Sequence, residues 1–158
     1  MHYCFLTGLY SRNDVLMVYR QGRSLIEAGF KVTYVVCDDQ PDEVKNGIHI
    51  ISTGYKPQGR LNRFLNTKRI IKKYIDKVDA DIYQISDPEL MSLVSYLKHR
   101  NKKVVFNLRE YYPDLLKQKT YIPSFAKSII SKIYASKMTK YLQKYDAVFT
   151  VTDWILQQ

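Results

Sequence analysis

The sequence has little of what several classes of protein site require. Its 158 residues include only two cysteines, Cys4 and Cys37, both inside apolar stretches. Two thiols without metal-ligand spacing make neither a disulfide framework nor a zinc site, so we expect both to be buried and reduced. None of the three histidines, His2, His49 and His99, follows a predicted strand. Their positions argue against histidine acid–base catalysis and against a histidine-ligated metal site.

Long apolar runs and glycine-rich motifs are also absent. No run approaches the roughly 18–20 apolar residues of a membrane-spanning helix. The first ten residues lack the basic segment and cleavage site of a signal peptide, so we expect a cytoplasmic protein. The stretch "TGLYSRND" (7–14) contains one glycine, which excludes a G-x-G-x-x-G dinucleotide fingerprint. Gly8 either permits a turn or lets the backbone approach a phosphate, to which Arg12 would add positive charge.

Positive charge, by contrast, is abundant. The formal net charge is +10 and the isoelectric point is near 9.5, which indicates an anionic partner. Lysines and arginines concentrate in two predicted helices, at 60–78 and 124–145. They form either a solvated face or a surface for anionic lipid headgroups. Because they are not interleaved with aromatic residues as in a nucleic-acid-binding module, we expect no nucleic-acid partner.

Apolar runs and helical patterns alternate along almost the whole chain. Six short, near-continuous apolar runs are typical of strands buried on both faces: Tyr3–Thr7, Val32–Cys37, Ile48–Ser52, Ile82–Ile85, Val104–Leu108 and Ala147–Val151. Apolar residues at helical spacing predict four helices with an inward stripe: Leu16–Ala28, Arg60–Val78, Pro88–Arg100 and Ser124–Tyr145. This alternation predicts an α/β fold with a doubly wound, mostly parallel sheet, a three-layer Rossmann-like domain.

In doubly wound folds ligands bind beyond the carboxyl ends of the strands, so the residues after each strand form the candidate site. In "SDPEL" (86–90), Asp87 at the N-cap and Pro88 at the first helical position match a helix start. The helix dipole favours Glu89 in the first turn. The same two carboxylates are also placed to face a cleft, and the two interpretations are compatible.

The exit of the fifth predicted strand, "REYYPD" (109–114), combines charged and aromatic residues. Arg109 and Glu110 leave the strand directly, and Tyr111 and Tyr112 precede a proline that disfavours helix before itself. Aromatic side chains beside a charged pair suit the stacking of a sugar or another ring, and an aromatic plug of the domain is the alternative.

Five segments in order resemble the N-terminal half of a GT-B glycosyltransferase of the retaining family-4 type. They are "DVLMVYRQGRSLIEAGFKVTYVV" (14–36), "GRLNRFL" (59–65), "ADIYQISDPELM" (80–91), "VVFNLREYYPD" (104–114) and "YDAVFTVTDWI" (145–155). The third resembles the family pattern D-x-x-H-x-H-D-P-E-L-L, and the fourth resembles H-E-x-Y-P. Gln84, Ser86 and Arg109 stand where the family usually has histidines, and Leu16 replaces a common arginine.

The resemblance implies a function and a set of site residues. Residues 1–158 would be an acceptor-binding domain cut before a C-terminal domain that holds the nucleotide-sugar donor. The whole enzyme would transfer a sugar to a glycan or lipid-linked acceptor in bacterial polysaccharide biosynthesis, at the inner face of the membrane and without a metal or other cofactor. The expected residues are Asp87, Glu89, Arg109 and Glu110 for catalysis, Gly8 and Arg12 for the donor diphosphate, and Asp14, Arg20, Ser86 and Tyr112 for the acceptor.

The resemblance also leaves an alternative open. Because the donor-binding half is missing, we expect residues 1–158 alone to be inactive. The missing histidines fit a non-catalytic half-subunit, or an inactive relative that acts as an interaction module with a partner chain.

Overall fold

The computed structural model describes residues 1–120 and 123–150, which form seven strands in one sheet. In chain order the strands are β1 (His2–Thr7), β2 (Lys31–Val36), β3 (Glu43–Lys45), β4 (Ile48–Ser52), β5 (Ile82–Ile85), β6 (Lys103–Leu108) and β7 (Ala147–Thr150). Across the sheet the order is β3-β4-β2-β1-β5-β6-β7. Every neighbouring pair is parallel except β3 and β4.

Helices connect the parallel strands. A π-helix (Val15–Gln21) runs into α1 (Gly22–Glu27), and a 3₁₀ turn (Pro88–Leu90) precedes α3 (Leu93–His99). The others are α2 (Gly59–Val78), α4 (Tyr112–Gln118) and α5 (Ser124–Leu142). None of the helices described in residues 1–120 and 123–150 combines the length and apolarity needed to cross a bilayer.

The predicted fold class is confirmed. The six parallel strands are the six predicted runs, and among themselves they lie in the Rossmann order 3-2-1-4-5-6; the antiparallel β3 extends the sheet beyond the third run. Two elements are absent from the prediction. β3 has three residues, too few to show a period, and α4 begins one residue before Pro113, which the first turn of a helix tolerates. Val151, the last residue of the sixth predicted run, lies outside the described residues.

Alternate strand residues pack into two cores, one on each face of the sheet. On one face, Leu6 and Phe106 are buried beneath α2, α3 and α5. On the other, Phe5 and Tyr34 are buried beneath the π-helix and α1. Cys4 and Cys37 are buried and free, as the sequence predicts.

The predicted inward stripes are correct for α3 and partly wrong for α2 and α5. On α3, Leu93, Val94 and Leu97 are buried. Apolar residues lie on both faces of α2 and α5, and only one face of each helix contacts the sheet or α4. We call the exposed large apolar side chains of these two helices the outer apolar face: Leu61, Phe64 and Leu65 at the start of α2, and Phe125, Ile129 and Ile133 on α5, each more than 60% exposed.

Two aspartates connect neighbouring strands at the amino edge of the sheet. Asp81, just before β5, accepts a hydrogen bond of 2.7 Å from the backbone N–H of His2 in β1. Asp146, just before β7, accepts one of 2.8 Å from the backbone N–H of Val104 in β6, and Lys98 approaches it to 2.9 Å. These contacts fix the offset between strands at the end opposite to the candidate site.

Candidate functional site

The exits of β1, β2, β5 and β6 meet at the carboxyl edge of the sheet. A cavity of about 450 Å³ opens there between the loops after β1 and β2 and the start of α2. Gly8, Arg12, Asp38, Lys56 and Arg63 are among the residues that line it. The strand exits that the sequence selects therefore do converge, as parallel strand ends must.

Asp87 organises the loop after β1. Its side chain is fully buried, and one carboxylate oxygen accepts a hydrogen bond of 2.8 Å from the Thr7 hydroxyl. The other oxygen accepts from the backbone N–H groups of Gly8 at 2.5 Å and Leu9 at 3.0 Å. The predicted side-chain N-cap is wrong, because both oxygens are engaged by this loop and neither bonds to the 3₁₀ turn. Pro88 and the backbone alone start that turn.

The surroundings of Asp87 also change its acidity. Burial raises the pKa of Asp87 to about 7, and the negative charge of Glu89 adds to this rise. The N–H groups of Gly8 and Leu9 and the Thr7 hydroxyl oppose it. The carboxyl therefore titrates near neutral pH.

Glu89 lies beside α2. Its side chain is 4% exposed and forms an ion pair with Arg63 of α2. Burial raises the pKa of Tyr134 on α5, and the Glu89 charge adds to this rise. Arg63 lines the cavity and Glu89 does not, so Glu89 balances the charge of one cation in the cavity wall.

Arg109 and Asp14 join the exits of β6 and β1. Two guanidinium nitrogens of Arg109 each lie 2.8 Å from an oxygen of Asp14, in a bidentate pair. The guanidinium also lies 3.9 Å from the ring centre of Tyr10. Asp14 accepts the backbone N–H of Met17 at 2.9 Å and so caps the π-helix. Burial raises the pKa of Asp14, but its bonds to Arg109 and this N–H outweigh burial and lower it.

This pair leaves one donor unused. The Nε of Arg109 is buried and has no hydrogen-bond partner among the described residues. Nε–H is therefore the donor that Arg109 has available without breaking its pair with Asp14. The positive charge of Arg109 is largely balanced in the structure as it stands.

The two residues predicted for the donor diphosphate both have structural contacts. Arg12 is buried, and its guanidinium donates to Asp38 at 2.7 and 2.9 Å and to Glu43 at 3.1 Å. A Cβ added to Gly8 would overlap the methyl group of Thr67 on α2, so the close approach of this helix requires glycine. Contact with a diphosphate stays a prediction, and for Arg12 it requires exchange of a carboxylate partner.

The residues predicted for the acceptor occupy different environments. Tyr112 is buried, and its hydroxyl donates to the backbone carbonyl of Ser86 at 3.2 Å, so the ring does plug the domain. The Ser86 hydroxyl is also buried and has no hydrogen-bond partner within residues 1–120 and 123–150. Arg20, in the last turn of the π-helix, is exposed, and so is Glu110 after β6, which was predicted for catalysis. Their predicted roles stay predictions.

Sequence reasoning missed two residues of this cluster. The hydroxyl of Thr7 and the ring of Tyr10 contact the predicted residues Asp87 and Arg109 directly. Both lie close to Gly8 at the exit of β1, so their position at a strand exit was the feature of the sequence that could have identified them as site residues. Gln84, which the sequence singled out as a departure from the family pattern, accepts from the Tyr3 hydroxyl at 2.7 Å and donates to Gln21 at 2.9 Å.

The part of the chain that the structure describes has no group of three histidine, cysteine, aspartate or glutamate side chains placed to hold a metal ion. The expectation of a metal-free site stays a prediction. The site as built consists of one buried carboxyl, one bidentate ion pair and a cavity lined by further cations.

This arrangement defines the class of the protein: a Rossmann-like domain with a polar cleft at the carboxyl edge of its sheet. The fold is similar to that of sucrose-phosphate synthase from Thermosynechococcus elongatus, with a TM-score of 0.59 and 13% identity. The match covers 95% of this chain and 47% of the synthase chain, so this chain spans about half the length of that protein. At this identity the similarity shows the fold alone.

The sequence identifies the family. The model of Glycosyltransferase Family 4 matches residues 15–158, and the chain belongs to this family. The predicted resemblance to a family-4 glycosyltransferase is thereby confirmed. No curated protein sequence matches the chain.

Proposed function

We propose that the chain is the acceptor-binding domain of a glycosyltransferase that moves a sugar from a nucleotide-sugar to a glycan or lipid-linked acceptor in bacterial polysaccharide biosynthesis. One observation carries this proposal. In a family-4 domain, the buried Asp87 and the Asp14–Arg109 pair hold the strand exits together beside an open cavity, one wall of which is the loop after β1. Such a cavity has the cations that a phosphorylated donor or an anionic acceptor needs.

In such a transfer, each of the site residues would have a different role. Asp87 holds the loop after β1 in place, and this loop forms one wall of the cavity. The Nε–H of Arg109 is buried and has no partner in the described part of the chain, so a movement of the loop after β1 or of Arg109 itself would bring this donor to negative charge that develops on the leaving diphosphate. The leaving phosphate itself takes the proton of the acceptor hydroxyl, so no histidine base is required. Glu110 and Arg20, both exposed, orient the acceptor at the rim.

The donor would be held mainly by a second domain joined to this one, and the enzyme would work at the cytoplasmic face of the membrane. The formal net charge of +10 supports attraction to an anionic surface.

The experiment uses residues 1–158 and the full-length gene product side by side. We expect no sugar transfer and at best weak nucleotide-sugar binding by residues 1–158, and transfer by the full-length protein. Calorimetry that gives residues 1–158 a micromolar Kd, about −8 kcal/mol, would show that the donor site lies in this domain. Absence of transfer by the full-length protein across a panel of nucleotide-sugars and membrane-extracted acceptors would contradict the proposal.

A second candidate function has one observation in its favour. Gln84 and Arg109, at positions where the family usually has histidines, are both engaged in internal hydrogen bonds. A non-catalytic half-subunit that supports a partner chain would keep such contacts. Stable co-purification with a separately encoded transferase, together with full activity of Arg109→Gln in that complex, would favour this alternative.

A further inference from the structure

The outer apolar face leaves large side chains in solvent. On α5, Phe125, Ile129 and Ile133 are 84%, 61% and 63% exposed. They are spaced four residues apart, so they form one stripe along two turns of the helix. A contiguous exposed apolar stripe of this kind marks an interaction surface.

The charges around the stripe select its partner. Lys132, Lys137 and Lys140 lie beside Ile133, and α5 contains no acidic residue. A second copy of the chain on this face would bring two sets of three lysines together. An apolar face bordered only by lysines fits an anionic lipid surface, where the apolar groups enter the acyl boundary and the ammonium groups meet phosphates.

The outer side of α2 extends this surface. Leu61, Phe64 and Leu65 are 73%, 66% and 64% exposed at the start of α2. Both helices pack on the same face of the sheet. Arg63 of α2 pairs with Glu89, whose charge also acts on Tyr134 of α5. Their outer sides therefore face the same way.

Both helices start near the carboxyl edge of the sheet. α2 begins beside the cavity, since Gly59 and Arg63 line it. α5 follows α4 from the exit of β6 and runs back to the amino end of β7. The first turns of both helices, which carry most of the outer apolar face, thus lie at the same edge as the candidate site.

We propose that the outer apolar face inserts into the interface of an anionic bilayer and sets the cleft at the membrane surface, where it takes a lipid-linked acceptor. The proposal of membrane binding is based only on the exposed apolar side chains and the lysines beside them. The choice of a lipid-linked acceptor rests on the proposed function. Insertion differs from simple attraction of a basic protein, because it requires the apolar side chains as well as the lysines.

The test measures binding of residues 1–158 to vesicles of phosphatidylcholine, alone or mixed with phosphatidylglycerol, by cosedimentation. We expect binding to the mixed vesicles and much weaker binding to the neutral ones. The triple change Phe125→Ser, Ile129→Ser and Ile133→Ser should lower the partition coefficient roughly tenfold or more. Val44→Ser is the matched control, because Val44 is 64% exposed on β3, at the far edge of the sheet.

Two further measurements separate insertion from attraction. Lys132→Gln with Lys137→Gln should lower binding to the mixed vesicles on the order of tenfold and reduce its salt dependence. A dye that reports polarity, attached to Ile129→Cys, should shift to the blue on mixed vesicles. The native thiols are buried and leave this position selectively labelled.

Three results would overturn the inference: unchanged binding of the triple serine variant, equal binding to neutral and mixed vesicles, or a dye that stays in water. A dimer that the triple serine variant converts to a monomer would assign the face to a second copy and also overturn it. Vesicle binding needs no transfer reaction. Its loss therefore contradicts this inference alone, whereas intact vesicle binding without transfer by the full-length protein contradicts the proposed function alone.

Discussion

Asp87 allows a test of whether burial or hydrogen bonding has the larger effect on the pKa of a buried carboxyl group. Burial raises its pKa to about 7, although Thr7, Gly8 and Leu9 all donate to it. In the unfolded chain the pKa returns to an ordinary value near 3.8. The folded state therefore binds this proton more tightly than the unfolded state does.

The sign and size of the effect follow from this difference. The stabilisation from the protonated carboxyl is complete below about pH 4, and it is lost as the pH rises through about 7. One pKa unit corresponds to about 1.4 kcal/mol, so a rise from 3.8 to about 7 gives about 4 kcal/mol. Asp87→Asn removes this titration, because asparagine is neutral at every pH and keeps one carbonyl oxygen toward the loop.

The assay is urea unfolding of both proteins at several pH values. We expect the free energy of unfolding of the wild type, minus that of Asp87→Asn, to fall by about 4 kcal/mol between about pH 4 and pH 8. Asp146→Asn is a control of opposite sign. Burial raises the pKa of Asp146, but its bonds to Lys98 and to the N–H of Val104 outweigh burial and lower it. Its stabilisation is therefore lost as the pH falls.

A flat or rising difference for Asp87→Asn would refute the reasoning. It would mean that the three donors hold the carboxylate in its charged form more strongly than burial opposes it. The loop after β1 would then be stabilised by an ionised Asp87 at neutral pH.

Two further predictions concern contacts of the same site. Gly8→Ala should destabilise the fold by about 1–3 kcal/mol, because the new methyl overlaps Thr67; chemical unfolding measures this, and Thr67→Ser should recover part of the loss. Arg109→Lys should lower the melting temperature through a loss of about 2–4 kcal/mol, because lysine cannot reproduce the two bonds to Asp14. A lysine variant as stable as the wild type, measured by calorimetry, would show that a single charge contact is sufficient.

The sheet could be predicted from the sequence because its strands are buried on both faces and read as continuous apolar runs. The runs Ile48–Ser52 and Ile82–Ile85 match β4 and β5 residue for residue. Helix positions followed from spacing, but spacing does not tell which side of α5 faces the core when both sides are apolar. The prediction therefore places Ile129 and Ile133 inward together with Met138, although only Met138 is buried.

The site could be located from the sequence but its contacts could not. Strand exits converge in any parallel sheet, so Asp87 and Arg109 belonged among the candidates. The partners of Asp87 are 78–80 residues away along the chain, and Asp14 is 95 residues from Arg109. Pairings at such separation depend on the path of each loop across the sheet, which local sequence patterns do not encode.

The hydrogen bonds of Asp81 and Asp146 at the amino edge of the sheet affect how freely the sequence of the cleft at the opposite edge can change. They secure the strands at one end, while the residues that differ from the usual family pattern, Gln84, Ser86 and Arg109, lie in or just beyond the carboxyl halves of β5 and β6. Replacements at these three positions leave the contacts of both aspartates in place. The alignment of β1 with β5 and of β6 with β7 is therefore supported at the amino edge even where a replacement in the cleft, such as that of Arg109, costs stability.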